Sequence, residues 1–253
     1  MLEGLSWLGR GALAAGDLDA AERYAAEVRE LALGLLQTRR LDEEKRLPIA
    51  FGASIEVQAQ VLARRGARSE AISFLRQELD AWGQTSIRTR IQKNINLLSL
   101  EGGPAPELEF TEYLGEQPLR LASLRGKTVL LFLWAHWCKD CKTQAPVLAR
   151  LREEFSDRGL VILGPTQRYG FAEGGREVSP EEELAYIDQV RRQSYADLDG
   201  MPVPVSEKAF QTYGASTTPT MVLIDRTGIV RLYHPGKISY EELAPRIREL
   251  LAR

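Results

Sequence analysis

The amino-acid sequence changes character near residue 101, and this change most limits the folds open to the chain. Residues 3–100 contain a single proline, Pro48, and place Leu and Ala three or four residues apart, which is typical of amphipathic helices. After residue 101, apolar runs of strand length alternate with helical patterns. A length of 253 residues is enough for two domains. We therefore predict an all-α domain over residues 1–100 and an α/β domain after it.

Two segments of the N-terminal half have the pattern of a helical hairpin. In the first, Gly16 ends one helix and Asp17 or Asp19 caps the next. In the second, Gly66 is the predicted turn and Ser69 the predicted N-cap.

The two hairpins share residue types at equivalent positions, which suggests a repeat. The equivalent pairs are Gly16 with Gly66, Ala21 with Ala71, and Tyr24 with Phe74. This pattern resembles tetratricopeptide (TPR) repeats, although the copies are about 50 residues apart and the TPR period is about 34. An unrelated helical bundle is the alternative. The role of this TPR-like domain is open between packing or dimerisation and a groove that binds a protein partner.

The second half begins with a Gly- and Pro-rich segment, residues 101–127, which we interpret as a linker followed by a small β-hairpin. The run TVLLFLW at residues 128–134 predicts a strand buried on both faces. The predicted order over residues 128–253 is strand, helix, strand, a helical insert at about 165–206, a β-hairpin with its turn at 225–228, and a closing helix.

The only two cysteines of the chain, Cys138 and Cys141, lie where the buried strand is predicted to end and a helix to begin. Unpaired N–H groups and the dipole at a helix N-terminus stabilise a thiolate, which is the reactive form of cysteine. A second thiol two residues further on can resolve a mixed disulfide. Lys139, and His136 when protonated, would stabilise the thiolate, whereas Asp140 would oppose it. The pattern predicts a redox-active dithiol.

A metal site and a pair without function are the alternatives for these cysteines. Structural zinc needs about four N or S ligands, and only His136 and His234 could join the two cysteines. We expect no metal, and no cofactor beyond the Cys138–Cys141 disulfide.

Residues from about 104 to 253 resemble the thioredoxin superfamily, and within it the TlpA-like and ResA-like thiol-disulfide oxidoreductases. PAPEL followed by LRGKTVLLFLWAHWCKDC is similar to the leading hairpin, first core strand and Trp-Cys-x-x-Cys centre of that branch, which includes Trp137. YGASTTPTMVLIDRTGIV is similar to its cis-proline segment. The resemblance implies an α/β thioredoxin-like fold, with a central mixed sheet flanked by helices. It also implies a cis peptide bond before Pro219, where the Thr218 backbone could pair with a substrate segment.

Two positions depart from the family pattern. Phe132 stands where thioredoxin has a buried acid, and Gln144 stands where ResA-like members have a glutamate. The acid that would deprotonate the resolving thiol is therefore missing from both positions. In the insert, residues 169–171 either shape access to the cysteines or only pack the insert.

The resemblance implies an enzyme that exchanges disulfides with protein thiols and acts as a reductase. Cys138 attacks the substrate, Cys141 resolves the mixed disulfide, and an upstream redox donor recharges the pair. We expect an exposed Cys138 and a shielded Cys141. One alternative is a peroxiredoxin-like peroxidase, although Ala135 replaces the usual threonine. The other is a helical scaffold whose thiols act as a redox switch.

Composition limits the partners and the compartment. The 33 Lys and Arg nearly balance the 35 Asp and Glu, so we expect no binding to nucleic acid. No window reaches the ~18 apolar residues of a membrane span, and the N-terminus lacks the pattern of a signal peptide. Family resemblance nevertheless implies the bacterial periplasm or cell envelope. Since the chain starts abruptly inside a predicted helix, we expect a shortened sequence that has lost its export signal.

Overall fold

The computed structural model describes residues 2–252, and the chain divides into two units, Met1–Ser99 and Leu100–Arg253. The predicted domain boundary after residue 100 differs from this division by one residue. No helix within residues 2–252 combines the length and the apolar character needed to cross a bilayer.

The first unit consists of antiparallel helical pairs followed by one more helix. Its helices are α1 (Leu2–Ala15), α2 (Leu18–Leu36), α3 (Leu47–Arg64), α4 (Arg68–Trp82) and α5 (Arg88–Ser99). Gly16 and Gly66 join the members of the two pairs with φ angles of 83° and 89°, which favour glycine.

The two hairpins differ in how their second helix is capped. The Asp17 side chain accepts a hydrogen bond from the Ala20 N–H at 2.9 Å and caps α2. The prediction that Ser69 caps α4 is wrong, because the N-cap position is occupied by Ala67. The Ala67 N–H bonds back to the Leu62 carbonyl, so the chain re-enters the helix directly after the turn and Ser69 falls inside the first helical turn.

Burial repeats between α2 and α4. Ala21 and Ala71 are both fully buried, and Ala25 and Leu75, one helical turn later, are buried as well. Positions five and nine residues after each glycine turn are thus buried in both hairpins. The TPR-like assignment stays a prediction.

The second unit is built around a mixed four-stranded sheet. Its elements are β1 (Glu112–Leu114), β2 (Thr128–Leu133), α6 (Lys139–Phe155), β3 (Leu160–Leu163), α7 (Pro180–Ser194), β4 (Val203–Val205), α8 (Glu207–Tyr213), β5 (Thr220–Ile224), β6 (Val230–Pro235) and α9 (Tyr240–Ala252). The strand order is β3-β2-β5-β6, with β3 parallel to β2 and the other neighbours antiparallel. The expected thioredoxin-like fold is confirmed.

Strand β2 lies at the centre of this sheet, and all six of its residues are buried. Leu130 and Phe132 point into the core cluster that includes α6, α7 and α9, whereas Val129, Leu131 and Leu133 point into the cluster that includes α8. A strand covered on both faces favours apolar residues on both of them, which explains the continuous apolar run at residues 129–133.

The predicted β-hairpin within residues 101–127 is wrong. Strand β1 pairs antiparallel with β4, about 90 residues away, and residues 121–124 form a 3₁₀ turn. The Glu107 carboxylate accepts hydrogen bonds from the Leu121 and Ala122 N–H groups, so these donors are not available to a second strand.

The insert contains the predicted helix and one additional strand. Ser179 caps α7 by accepting a hydrogen bond from the Glu182 N–H at 3.2 Å, and Pro180 occupies its first position. Strand β4 and the short helix α8, which Ser206 caps, were not predicted. The hairpin of β5 and β6 forms at the predicted place.

Candidate active site

Cys138 and Cys141 form a disulfide at the N-terminus of α6, directly after the exit of the chain from β2. Their Cα atoms are 5.3 Å apart. Two hydrogen bonds fix the backbone of Trp134, the residue that follows β2. The Trp134 N–H donates to the Pro165 carbonyl, and Thr166 Oγ1 donates to the Trp134 carbonyl. The predicted strand-to-helix junction therefore sets the position of the disulfide.

Cys138 is the N-cap residue of α6. Its Sγ accepts a hydrogen bond from the Cys141 N–H at 3.0 Å. An N–H donor and the positive end of the helix dipole both favour a negative sulfur at this position. The geometry thus favours Cys138 as the thiolate of the pair when the disulfide is reduced.

The expectation of an exposed Cys138 is wrong for this oxidised form. Cys138 is 3% exposed and Cys141 is fully buried. The Cys138 sulfur lies 3.4 Å from the Thr218 carbonyl oxygen, and the exposed position beside it is occupied by Trp137, which is 51% exposed. A substrate must therefore approach the sulfur across these neighbouring residues.

The segment that faces Cys138 is the turn before β5. The Thr218–Pro219 peptide bond is cis, Pro219 is buried and Thr218 is half-buried. The Pro219 carbonyl accepts a hydrogen bond from the Gly236 N–H at 2.7 Å, which joins this turn to the end of β6.

Gln144 joins α6 to the loop after β6. It is buried at 2% exposure, its Nε2 donates to the Ile238 carbonyl at 2.8 Å, and its Oε1 accepts from the Ile238 N–H at 3.1 Å. A side-chain amide can satisfy both backbone groups at once, whereas an ionised carboxylate can only accept. The departure from the ResA-like pattern thus has a structural consequence in this chain.

The two residues between the cysteines are exposed. Asp140 forms an ion pair with Lys237, with 3.1 Å between Oδ1 and Nζ. Lys237 therefore offsets part of the negative charge that Asp140 places near the disulfide. Lys139 lies at the first position of α6.

His136 is buried beside the carboxylate of Glu183 on α7. His136 Nε2 lies 3.3 Å from Glu183 Oε1, and both side chains are 1% exposed. Burial lowers the pKa of His136, and the opposing effect of Glu183 does not reverse this. At neutral pH the imidazole is therefore uncharged and does not stabilise a thiolate at Cys138 by a positive charge.

Aromatic rings surround His136. Tyr169, Phe171 and Tyr186 all pack edge-on against it, with centroid distances of 5.6, 5.2 and 5.4 Å. Tyr169 also packs edge-on against Trp137 at 5.5 Å. The structure thus brings the insert residues Tyr169 and Phe171 next to the cysteine segment.

The region where thioredoxin has a buried acid is apolar in this chain. Phe132 is fully buried in the same core cluster as both cysteines and packs edge-on against Tyr195, with centroids 5.8 Å apart. Tyr195 also packs against Trp134 at 4.8 Å.

Glu183 and Lys237 are the site residues that sequence reasoning missed. Glu183 carried a signal, because it precedes Ile187 and Val190 by four and seven residues and thus lies on the buried face of α7. Lys237 carried none, since its pairing with Asp140 depends on a tertiary contact. Within residues 2–252 no cluster of three or more His, Cys, Asp or Glu is placed to hold a metal ion.

Comparisons with known proteins find relatives of the second unit. Residues 102–167 match the AhpC/TSA family. The thioredoxin-like protein YneN of Bacillus subtilis is 27% identical over 148 residues, which cover 58% of this chain and 78% of YneN. The thiol-disulfide oxidoreductase ResA of Bacillus thuringiensis is 26% identical over 153 residues, which cover 59% of this chain and 78% of ResA. Among solved structures, the thioredoxin-like superfamily protein SPOA0173 is 25% identical in sequence to this chain. The structures superpose with a TM-score of 0.48, and the match covers 59% of this chain and 97% of that one.

Proposed function

We propose that the second unit is a thioredoxin-like thiol-disulfide oxidoreductase that reduces protein disulfides through Cys138 and Cys141. The observation that carries the proposal is the position of Cys138 at the N-cap of α6, where its sulfur accepts the Cys141 N–H. No cofactor other than the disulfide takes part in the proposed reaction.

The reaction proceeds in two exchanges. The Cys138 thiolate attacks one sulfur of a substrate disulfide, forms a mixed disulfide and releases the other substrate sulfur as a thiolate. The Cys141 thiolate then attacks the Cys138 sulfur of the mixed disulfide. This step re-forms the Cys138–Cys141 disulfide and releases the second substrate sulfur as a thiolate. Two electrons pass from the enzyme to the substrate, and an upstream thiol donor must return them.

The position of Thr218 supports a binding mode for the substrate. Its carbonyl oxygen lies 3.4 Å from the Cys138 sulfur, and the adjacent residue Thr217 is exposed. A substrate segment that pairs with this backbone in β fashion would bring its own cysteine to Cys138.

The reducing direction depends on how strongly the site stabilises the Cys138 thiolate. A dithiol whose thiolate is strongly stabilised acts as an oxidant, because its reduced form is favoured. Asp140 opposes a thiolate at Cys138, whereas Lys139 and Lys237 favour one, and solvent screens all three charges because these side chains are exposed. The reduction potential of the pair therefore decides the direction.

The test is to trap the intermediate and to measure the reduction potential. Cys141→Ser is expected to accumulate a mixed disulfide with a protein substrate, detected by non-reducing electrophoresis, and Cys138→Ser is expected to form none. Equilibration with glutathione should place the potential of the pair below about −200 mV, on the reducing side of the known oxidoreductases. A potential near that of a strong oxidant, about −120 mV, would refute the reducing direction. Peroxide consumption that depends on Cys138 would instead favour the peroxidase alternative.

We also propose the bacterial cell envelope as the compartment and a protein-binding role for the TPR-like first unit. The similarity to ResA of Bacillus species supports the compartment. The exposed Trp7 and Leu8 of α1 support the binding role, because large apolar side chains on a surface often mark contacts with partners. Cell fractionation tests the first proposal. To test the second proposal, Cys141→Ser is compared with the double variant Cys141→Ser and Trp7→Ala for the amount of the same client protein that each one traps.

A further inference from the structure

We propose that Trp137 and Tyr169 form an aromatic wall beside Cys138 that selects disulfides flanked by an apolar side chain, and that Glu183 is the positioning residue that holds this wall. The inference rests on the proposed disulfide exchange and adds the class of substrate that the site prefers.

Glu183 ties the loop after β3 to the cysteine segment. Its Oε1 accepts the Tyr169 N–H at 2.5 Å, its Oε2 accepts the Gly170 N–H at 2.9 Å, and Oε1 lies 3.3 Å from His136 Nε2. A buried carboxylate is tolerated only when donors satisfy it, and here the two backbone N–H groups do so. The same contacts make the position of the Tyr169 backbone depend on this one side chain.

The Tyr169 ring is in turn fixed between the core and Trp137. It packs edge-on against Trp137 at 5.5 Å, against His136 at 5.6 Å and against Phe210 at 6.4 Å. Close contact with three rings restricts its rotation, so a shift of its backbone moves the surface that it shares with Trp137.

This surface lies on the route of the substrate. Cys138 is 3% exposed, whereas the preceding residue, Trp137, is 51% exposed. A substrate cysteine that reaches the Cys138 sulfur must therefore place its neighbouring side chain against Trp137, with Tyr169 behind it. Aromatic rings favour apolar and aromatic partners over polar ones. The wall thus selects the residue next to the substrate cysteine.

The experiment compares two disulfide-linked peptides that differ in one residue beside the cysteine, phenylalanine or serine. The full chain is pre-reduced, and kcat/KM is measured for each peptide. We expect the wild-type protein to prefer the phenylalanine peptide about tenfold, a ratio that a single apolar group can produce. The preference should come from KM, while kcat stays similar for the two peptides.

Variants then separate positioning from stability. Tyr169→Leu and Glu183→Gln are expected to reduce the preference to about twofold or less, through a higher KM for the phenylalanine peptide. Tyr169→Phe keeps the ring and should keep the preference. Glu182→Gln is the matched control, because Glu182 is the exposed neighbour of Glu183 and pairs with Arg176 at the surface. A loss of stability alone would lower the rates with both peptides equally.

Two outcomes would overturn the inference: a wild-type protein that reduces both peptides equally well, or a Glu183→Gln variant that folds and keeps the full preference. If Glu183→Gln does not fold, Tyr169→Leu against Tyr169→Phe decides the role of the ring. The proposed function fails separately, because a protein that reduces neither peptide nor hydroxyethyl disulfide is not a disulfide reductase.

Discussion

Replacing Gln144 by glutamate restores the residue expected from the ResA-like pattern, and the structure predicts a pH-dependent loss of stability. The Gln144 amide donates to the Ile238 carbonyl and accepts from the Ile238 N–H. In Gln144→Glu, a protonated carboxyl can make the same two hydrogen bonds, but an ionised carboxylate cannot donate. Ionisation would therefore leave the buried Ile238 carbonyl without its partner.

The size of the effect follows from that lost hydrogen bond. Leaving a buried acceptor unsatisfied costs about 1–3 kcal/mol, and at about 1.4 kcal/mol per pKa unit this raises the pKa of the introduced carboxyl from about 4.3 to roughly 5–6.5. A raised folded-state pKa contributes stability that is fully present below the unfolded pKa and is lost as the pH rises through the folded pKa. Relative to wild type, Gln144→Glu should thus be nearly neutral at about pH 4 and destabilised by about 1–3 kcal/mol at pH 8.

The measurement is calorimetric unfolding of the oxidised wild type and the oxidised variant across this pH range. The transition to follow is the one that shifts when the disulfide is reduced, because that transition belongs to the second unit. Comparing the variant with wild type at each pH removes the titrations that the two share. Gln189→Glu, on the exposed face of α7, should change stability by less than about 0.5 kcal/mol at every pH. Equal destabilisation of Gln144→Glu at pH 4 and pH 8 would refute the reasoning.

Two further predictions concern other titratable groups. Burial lowers the pKa of His136 despite Glu183, so the unfolded state takes up a proton at a higher pH than the folded state, and stability falls as the pH drops below about 6.5. His136→Phe should flatten this dependence of stability on pH between about pH 7 and 5.5. Identical pH profiles of the variant and the wild type in thermal unfolding would contradict the prediction. Although burial acts to raise the pKa of Asp225, hydrogen bonds that include those from Ile229 and Thr227 lower it to about 2. Its stabilisation is present above about pH 4 and is lost towards pH 2, so Asp225→Ala should cost about 1–3 kcal/mol at neutral pH and less in acid. A cost in urea unfolding that is the same at both pH values would speak against this account.

The parts of the site that depend on local patterns were predictable. The apolar run of β2 and the switch to a helical pattern at Cys138 follow from periodicity, so the position of the cysteines at a helix N-terminus could be expected. The β5–β6 hairpin also followed from local signals, because a strand, an Asp225-to-Gly228 turn and a second strand are consecutive in the chain.

The parts that failed depend on contacts between distant segments. Strand β1 has too few residues to show a pattern, and its partner β4 lies about 90 residues away. The exposure of Cys138 could not be read from its neighbours, because Thr218, 80 residues later, lies against its sulfur. The role of Glu183 likewise depends on the fold of the insert, which brings its carboxylate to His136 and to the backbone of Tyr169.

The central position of β2 has a consequence for the synthesis of the protein. Its antiparallel partner β5 begins about 90 residues after β2 ends. At translation rates of about 5–20 residues per second, one edge of this strand, which is apolar after Thr128, remains unpaired for roughly 5–20 s until its partner leaves the ribosome. An unpaired apolar edge is prone to aggregate during that interval. The nascent chain should therefore depend on a chaperone that shelters residues 128–133 until the last hairpin has emerged.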